Sequence, residues 1–88
     1  MVTKRTARNP AFPQMLDAAR RRRELLRTLA ERREQQNQTQ TAVAAAMATS
    51  QSFVARMEST AADARVSTVE RYAGSLGCVV QYHLVPFD

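Results

Sequence analysis

The sequence has little of what secreted, membrane-spanning or catalytic proteins depend on. It contains one cysteine, Cys78, so no intrachain disulfide can form, as is usual in a reducing cytoplasm. No apolar run approaches the roughly 20 residues of a transmembrane helix, and no apolar stretch follows the basic N-terminus as it would in a signal peptide. Helix-breaking residues are few, with 2 glycines and 3 prolines among 88 residues. We therefore expect a helical, cytoplasmic protein.

Residues suited to catalysis or metal binding are equally scarce. The single histidine, His83, has neither a neighbouring cysteine nor a second histidine. A nucleophile–base pair and a zinc cluster therefore cannot be assembled. The carboxylates after residue 37 are better explained as helix caps and ion pairs. We expect no enzymatic activity, no cofactor and no metal.

Positive charge is concentrated in the N-terminal third of the chain. The sequence holds 13 Lys+Arg against 8 Asp+Glu, a formal net charge of +5. Residues 1–36 carry ten basic and four acidic side chains, whereas residues 37–88 carry three basic and four acidic ones. This imbalance favours an anionic partner, most simply nucleic acid. A membrane surface is disfavoured because the arginines of residues 20–23 surround a helix instead of forming one polar face.

The pattern divides the chain into an arm, a helical domain and a tail. Residues 1–13 are basic and hold two of the prolines, which predicts a flexible arm, either solvated or inserted in a minor groove. Apolar residues at three- and four-residue steps predict helices over residues 14–77. The first helix either spans residues 14–36 or breaks near the arginines.

Residues 40–58 predict two short helices joined by a three-residue turn. Thr39 and Ser50 are suitable N-caps for the first and the second helix. The inner faces consist of apolar residues at helical spacing: Val43, Met47, Val54 and Met57. Such a pair, with short polar side chains exposed at one end, is suited to entering a DNA major groove.

This segment resembles the helix-turn-helix of the phage repressor/Cro-like (Xre) family. The family's positions are occupied by Gln40, Val43, Ala44, Ser50, Val54, Met57 and Glu58. The sequence departs from the pattern at Ala42, Ala48 and Thr49, where Glu, Gly and Ile or Val are usual. A positive φ at Ala48 would cost about 1 kcal/mol.

The resemblance covers residues 25–77 and carries implications for fold and stability. It implies a mostly α, five-helix, lambda-repressor-like DNA-binding domain. It also implies a structural ion pair between Arg33 and Glu58. Asn37 stands at the family's glycine position after the first helix, where asparagine tolerates the left-handed conformation.

The C-terminal part predicts one more helix and a β-strand. Ser67 to Glu70 has the pattern of a capping box, and Gly77 is suited to ending that helix. Residues 78–85 alternate in polarity, which predicts a strand with one face formed by Val80, Tyr82 and Leu84. Because a lone strand has unpaired backbone groups, we expect it to pair with a second copy; docking on its own domain or on another protein is the alternative.

DNA contacts are expected from the outer side of the second motif helix. Gln51 can bind adenine bidentately, and Arg56 can reach guanine or a phosphate. Phe53 can lie against a thymine methyl or fold back onto Met57. The full set of expected DNA-binding residues is Gln40, Ser50, Gln51, Ser52, Phe53, Arg56 and Arg65.

Two functions follow from these features. The leading hypothesis is a sequence-specific transcriptional regulator, a repressor that binds a near-palindromic operator in double-stranded DNA as a homodimer. The alternative is the antitoxin of a toxin–antitoxin pair, which binds and neutralises a toxin protein and autoregulates its operon. In the alternative, the N-terminal helix or the C-terminal strand would cover the toxin. Met15, Leu16 and Ala19 on the first helix could form that surface, although packing within the chain is the simpler explanation of the stripe.

Overall fold

The computed structural model describes residues 12–60 and 64–86, which contain four α-helices. They are α1 (Phe12–Gln35), α2 (Gln40–Met47), α3 (Gln51–Thr60) and α4 (Val66–Ser75). The motif predicted over residues 40–58 corresponds to α2, a three-residue turn and α3. Within the two described ranges, none of the helices has both the length and the apolar character needed to cross a membrane.

One buried cluster joins all four helices. It combines apolar side chains of Leu26, Leu29, Val43, Ala44, Met47, Val54, Met57, Val69, Tyr72, Ala73 and Leu76. Each large apolar side chain that is removed from water contributes about 1.5–3 kcal/mol. Every helix supplies at least two members of this cluster. Because α2, α3 and α4 are too short to be stable alone, their packing against one another stabilises them.

The two predicted N-caps of the motif are confirmed. The Thr39 hydroxyl accepts a hydrogen bond from the Ala42 N–H at 3.0 Å, and the Ser50 hydroxyl accepts one from the Phe53 N–H at 3.1 Å. Each bond satisfies a backbone donor that the first turn of a helix leaves free. The two caps thus fix where the motif's helices begin.

The predicted capping box is wrong. Helix α4 begins at Val66, before Ser67, and its N-cap residue Arg65 makes no side-chain capping hydrogen bond. Thr68 and Val69 are already buried in the first turn. Packing against the core therefore determines where this helix begins.

Three of the helices end in the same left-handed turn. The residues with positive φ are Asn37 (58°), Ala48 (58°) and Gly77 (74°). After α2, the Ala48 N–H binds the Ala45 carbonyl at 3.1 Å and the Thr49 N–H binds the Ala44 carbonyl at 2.9 Å. This is the Schellman arrangement, and equivalent pairs of bonds close α1 and α4. Ala48 carries a Cβ in this conformation and is therefore strained by about 1 kcal/mol.

Helix α1 is continuous through residues 20–23, so the unbroken alternative for the first helix is confirmed. Its 24 residues extend about 36 Å. Leu26 and Leu29, in its C-terminal half, are buried in the core, whereas Met15 and Leu16 are 56% and 51% exposed. Of the predicted basic arm, residues 1–11 lie outside the described residues.

The predicted five-helix domain with a C-terminal strand is wrong. The described residues form four helices, and residues 78–86 form neither helix nor strand. The three residues of the predicted strand face differ: Val80 packs against the core, Tyr82 is 61% exposed and donates a hydrogen bond to Glu70, and Leu84 is fully exposed. A strand requires a neighbouring backbone with free donors and acceptors, and the other described segments have used theirs in helices.

Candidate nucleic-acid interface

The exposed side of α3 forms the candidate interface. Val54 and Met57 face the core, so the opposite side of the helix is open to solvent. Gln51, Ser52, Arg56 and Ser59 are exposed there. All four have side chains that donate hydrogen bonds, and none is acidic. This surface therefore suits contact with base edges and phosphates.

Gln51 is held by a neighbour at the start of α2. Its Nε2 donates to the Gln40 Oε1 at 2.6 Å, and the Gln40 Nε2 in turn donates to the Glu58 Oε1 at 2.9 Å. A glutamine amide has two N–H donors and one carbonyl acceptor. The contact with Gln40 uses one donor, so Gln51 keeps one donor and its acceptor, the pair of groups that adenine N7 and N6 require.

The inner end of this chain of amides is a nearly buried ion pair. Arg33 donates from Nε to the Glu58 Oε2 at 2.8 Å and from Nη2 to the Glu58 Oε1 at 3.1 Å. Both side chains are 10% exposed. The Tyr72 hydroxyl donates to the Glu58 Oε2, and the Arg33 Nη1 donates to the Gln38 carbonyl at 2.8 Å. Bidentate geometry and the added donors compensate for much of the cost of removing both charges from water.

The ionisation of the three groups follows from this arrangement. Burial alone would raise the pKa of Glu58, but the hydrogen bonds from Arg33, Tyr72 and Gln40 outweigh it and the pKa lies below its usual value. The hydrogen bond to Glu58 raises the pKa of Arg33, despite burial. Burial and the bond to the carboxylate also raise the pKa of Tyr72. At neutral pH the cluster therefore holds one anion, one cation and one neutral donor.

The cluster connects all four helices to the exposed side chain of Gln51. Arg33 comes from α1, Gln40 from α2, Glu58 from α3 and Tyr72 from α4. Movement of any one helix would therefore disturb the position of Gln40 and, through it, Gln51. The geometry links the stability of the core to the orientation of one side chain on the candidate interface.

The remaining predicted residues are distributed unevenly. The Ser50 hydroxyl caps α3 and lies 3.3 Å from that of Ser52, so both are at the end of the motif that carries Gln51. Arg56 is exposed one turn further along α3, and Arg65 is exposed just before α4. Phe53 is half-buried and packs against the core, which is the inward orientation of the two considered above.

Sequence reasoning missed the part that Tyr72 plays. Tyr72 lies three positions after Val69 and four before Leu76, which is the spacing of one helix face, and it is fully buried. Its hydroxyl nevertheless reaches Glu58, which is 14 positions earlier in the chain. A buried tyrosine usually has a hydrogen-bonding partner, and that was the available signal. The identity of the partner depends on how α4 packs against α3.

The chain matches a known protein family. A helix-turn-helix domain family matches residues 24–79, from the middle of α1 to the start of the C-terminal tail. Neither the curated proteins nor the solved structures include a match to the chain. The family match covers more than half of the 88 residues and includes α2, α3 and the buried cluster. The chain therefore belongs to the helix-turn-helix domain family of DNA-binding proteins.

Proposed function

We propose that this protein is a sequence-specific transcriptional regulator of the phage repressor/Cro-like type, with α3 as the recognition helix in the major groove. The observation that carries the proposal is the hydrogen bond from Gln51 to Gln40, which in turn binds the buried Glu58. An exposed glutamine that is fixed in this way loses less conformational entropy when it binds a base. This arrangement favours direct recognition over charge attraction alone.

Five polar side chains have a proposed role in DNA binding. Gln51 binds adenine, and Arg56 binds guanine or a flanking phosphate. Gln40 positions Gln51 and contacts a phosphate, together with the hydroxyl of Ser52 and the N-terminus of α2. Arg65 lies outside the motif and contributes a phosphate contact at the edge.

We further propose that two copies bind a near-palindromic operator. One recognition helix contacts only a few base pairs, so a single copy would find many sites of equal quality. Two copies related by a two-fold axis would place their recognition helices in major grooves about 34 Å apart. Occupation of such a site next to a promoter would block transcription, which makes repression the proposed outcome.

Selection of binding sites from a random pool of duplex DNA tests this function. We expect a two-fold symmetric sequence that wild-type protein binds at least roughly a thousandfold more tightly than random duplex. Gln51→Ala is expected to weaken binding to the selected site by about 1–3 kcal/mol and binding to random duplex by much less. Gln81→Ala, an exposed glutamine in the tail, is the matched control and should bind like wild type. Equal losses on both duplexes for Gln51→Ala would contradict direct recognition.

The antitoxin function is the second candidate, and one observation favours it. Met15 and Leu16 are about half exposed, so the core does not use the apolar stripe on the first half of α1. An exposed apolar patch on a helix suits coverage by a partner protein. DNA binding would then serve autoregulation.

Co-expression with a small toxin-like product encoded beside this protein tests the second candidate. Wild-type protein should restore growth, and Met15→Ser combined with Leu16→Ser should abolish that protection while DNA binding is retained. Unchanged protection by the double variant would exclude this surface as the toxin contact.

A further inference from the structure

A groove of about 570 Å³ lies between α1 and the helix-turn-helix motif. One wall comes from α1 and carries Arg20, Arg23 and Arg27. The other comes from the motif and carries Gln40, Ala55 and Ser59. We propose that this groove is a second DNA-binding element, which holds the phosphate backbone of the strand beside the recognition helix. The inference rests on the proposed function and adds a contact outside the motif.

The helix geometry selects three of the chain's arginines for this role. Residues separated by three and four positions share one face of an α-helix, and Arg20, Arg23 and Arg27 follow that spacing. Arg21 and Arg22 belong to the same basic run but do not line the groove. The arginines of residues 20–23 therefore point to different sides of α1, and only Arg20 and Arg23 of this run face the motif.

The length of the arginine face matches a DNA backbone. Arg27 lies seven positions after Arg20, which is about 10 Å along the helix axis. One DNA strand presents a phosphate about every 3.4 Å of duplex axis. Measured along the duplex axis, about 10 Å covers about three phosphate-to-phosphate steps, so the three guanidinium groups face a run of about four successive phosphates. Arginine is also the side chain whose planar donors fit phosphate oxygens best.

The charges around the groove favour an anion. Arg20 has an exposed ion pair with Asp17, at 2.7 Å, which water screens. Within the part of the chain that the structure describes, Arg23 and Arg27 have no carboxylate partner. Two acidic residues also line the groove, but Arg33 already neutralises Glu58, which leaves Glu24. After these ion pairs are subtracted, the net charge of the groove lining is positive.

The groove is continuous with the proposed base-contacting surface. Gln40 belongs to both, since its amide also binds Gln51. Ala55 and Ser59 lie one and two turns after Gln51 on the same side of α3. Ala55 is small, so no side chain at that position fills the space between α3 and α1. A duplex that accepts α3 in its major groove would bring a flanking strand against the arginines.

Charge-neutral variants of two matched sets test the inference. The groove variant combines Arg20→Gln, Arg23→Gln and Arg27→Gln. The control combines Arg21→Gln, Arg22→Gln and Arg32→Gln, so it removes the same charge from the same helix. All six arginines are exposed and glutamine is a good helix former, so both variants should fold, as circular dichroism would verify. Binding to the selected duplex is then measured from about 50 to 200 mM salt.

The groove variant should lose roughly tenfold or more in affinity, and the slope of log affinity against log salt should fall by about three. The control should change that slope by less than about one. Ethylation interference should lose its signal at the flanking phosphates only in the groove variant. Equal changes in both variants would overturn the inference, since the arginines would then attract DNA only through their total charge.

The result separates this inference from the proposed function. Wild-type protein that binds no duplex would refute both. Wild-type binding that depends on Gln51, together with a groove variant that binds DNA like wild type, would refute the groove alone. An acidic protein segment would then be the better occupant for the same arginines.

Discussion

Both halves of α1 are helical, but the C-terminal half packs into the core and the N-terminal half is largely exposed to solvent. The C-terminal half supplies Leu26 and Leu29 to the core and Arg33 to the buried cluster. The N-terminal half leaves Met15 and Leu16 exposed and carries the run of arginines. The comparison teaches that helix formation alone does not reveal which residues hold the fold. Substitution of the core residues should affect folding, whereas substitution of the exposed arginines should affect binding.

The largest expected effect comes from removing the anion of the buried cluster. Glu58→Ala should lower the free energy of unfolding by about 3–5 kcal/mol, since Arg33 would remain nearly buried without its bidentate carboxylate. Asp17→Ala removes the anion of the exposed pair in the other half of α1 and should change it by less than about 1 kcal/mol. Chemical denaturation of both variants measures this difference. Equal unfolding curves for the two variants would show that the buried ion pair is no more important for stability than the exposed one.

A smaller effect is expected at the tyrosine of the cluster. Tyr72→Phe keeps the packing of the ring but removes the donor to Glu58, and should cost about 1.5–3 kcal/mol. Tyr82→Phe removes a similar bond, to Glu70, from an exposed position and should be close to neutral. Thermal unfolding of the pair compares them. A neutral Tyr72→Phe would show that its hydroxyl is not needed for the cluster.

Acid should also weaken the cluster, by less than Glu58→Ala does, because protonation keeps the Glu58 side chain in place. Its pKa is lower in the folded state than the ordinary value of 4.5, so its contribution is complete above about 4.5. The contribution is lost as the pH falls from there through the folded-state pKa. Glu58→Gln should flatten this part of the curve of stability against pH. Identical acid sensitivity in wild type and Glu58→Gln would contradict the assignment.

The smallest expected effect is a gain in stability within the motif. Ala48→Gly should raise the free energy of unfolding by about 1 kcal/mol, since glycine adopts the left-handed conformation without strain. Ala46→Gly, at an exposed position within α2, is the control and should lower it by a similar amount. Destabilisation by both substitutions would show that Ala48 is not strained.

The sequence predicts the motif well because its signals are local. Thr39 and Ser50 cap helices through bonds to residues three positions later, and Ala48 and Asn37 occupy left-handed turns at helix ends. Such features depend on neighbouring residues alone. The exposed side of α3 could likewise be inferred from the spacing of its buried residues, and it contains Gln51.

The features that the sequence does not predict depend on contacts between distant segments. The alternation of residues 78–85 satisfies the local requirement for a strand, but no described segment offers a backbone to pair with. The stripe at Met15 and Leu16 fits a buried face, yet the core ends before it. Arg20, Arg23 and Arg27 form the wall of a groove only because α3 packs beside α1, and the sequence does not show that packing.

The proposed recognition depends most on Gln51, which Gln40 holds in place to contact a base. Binding of wild type and Gln51→Ala is therefore measured on the selected duplex with each adenine replaced in turn by 7-deazaadenine, which lacks the N7 acceptor. At one adenine in each half-site, wild type should lose roughly tenfold in affinity and Gln51→Ala should lose nothing further. If every replacement affected the two proteins equally, Gln51 would not contact a base and the proposed recognition would be wrong.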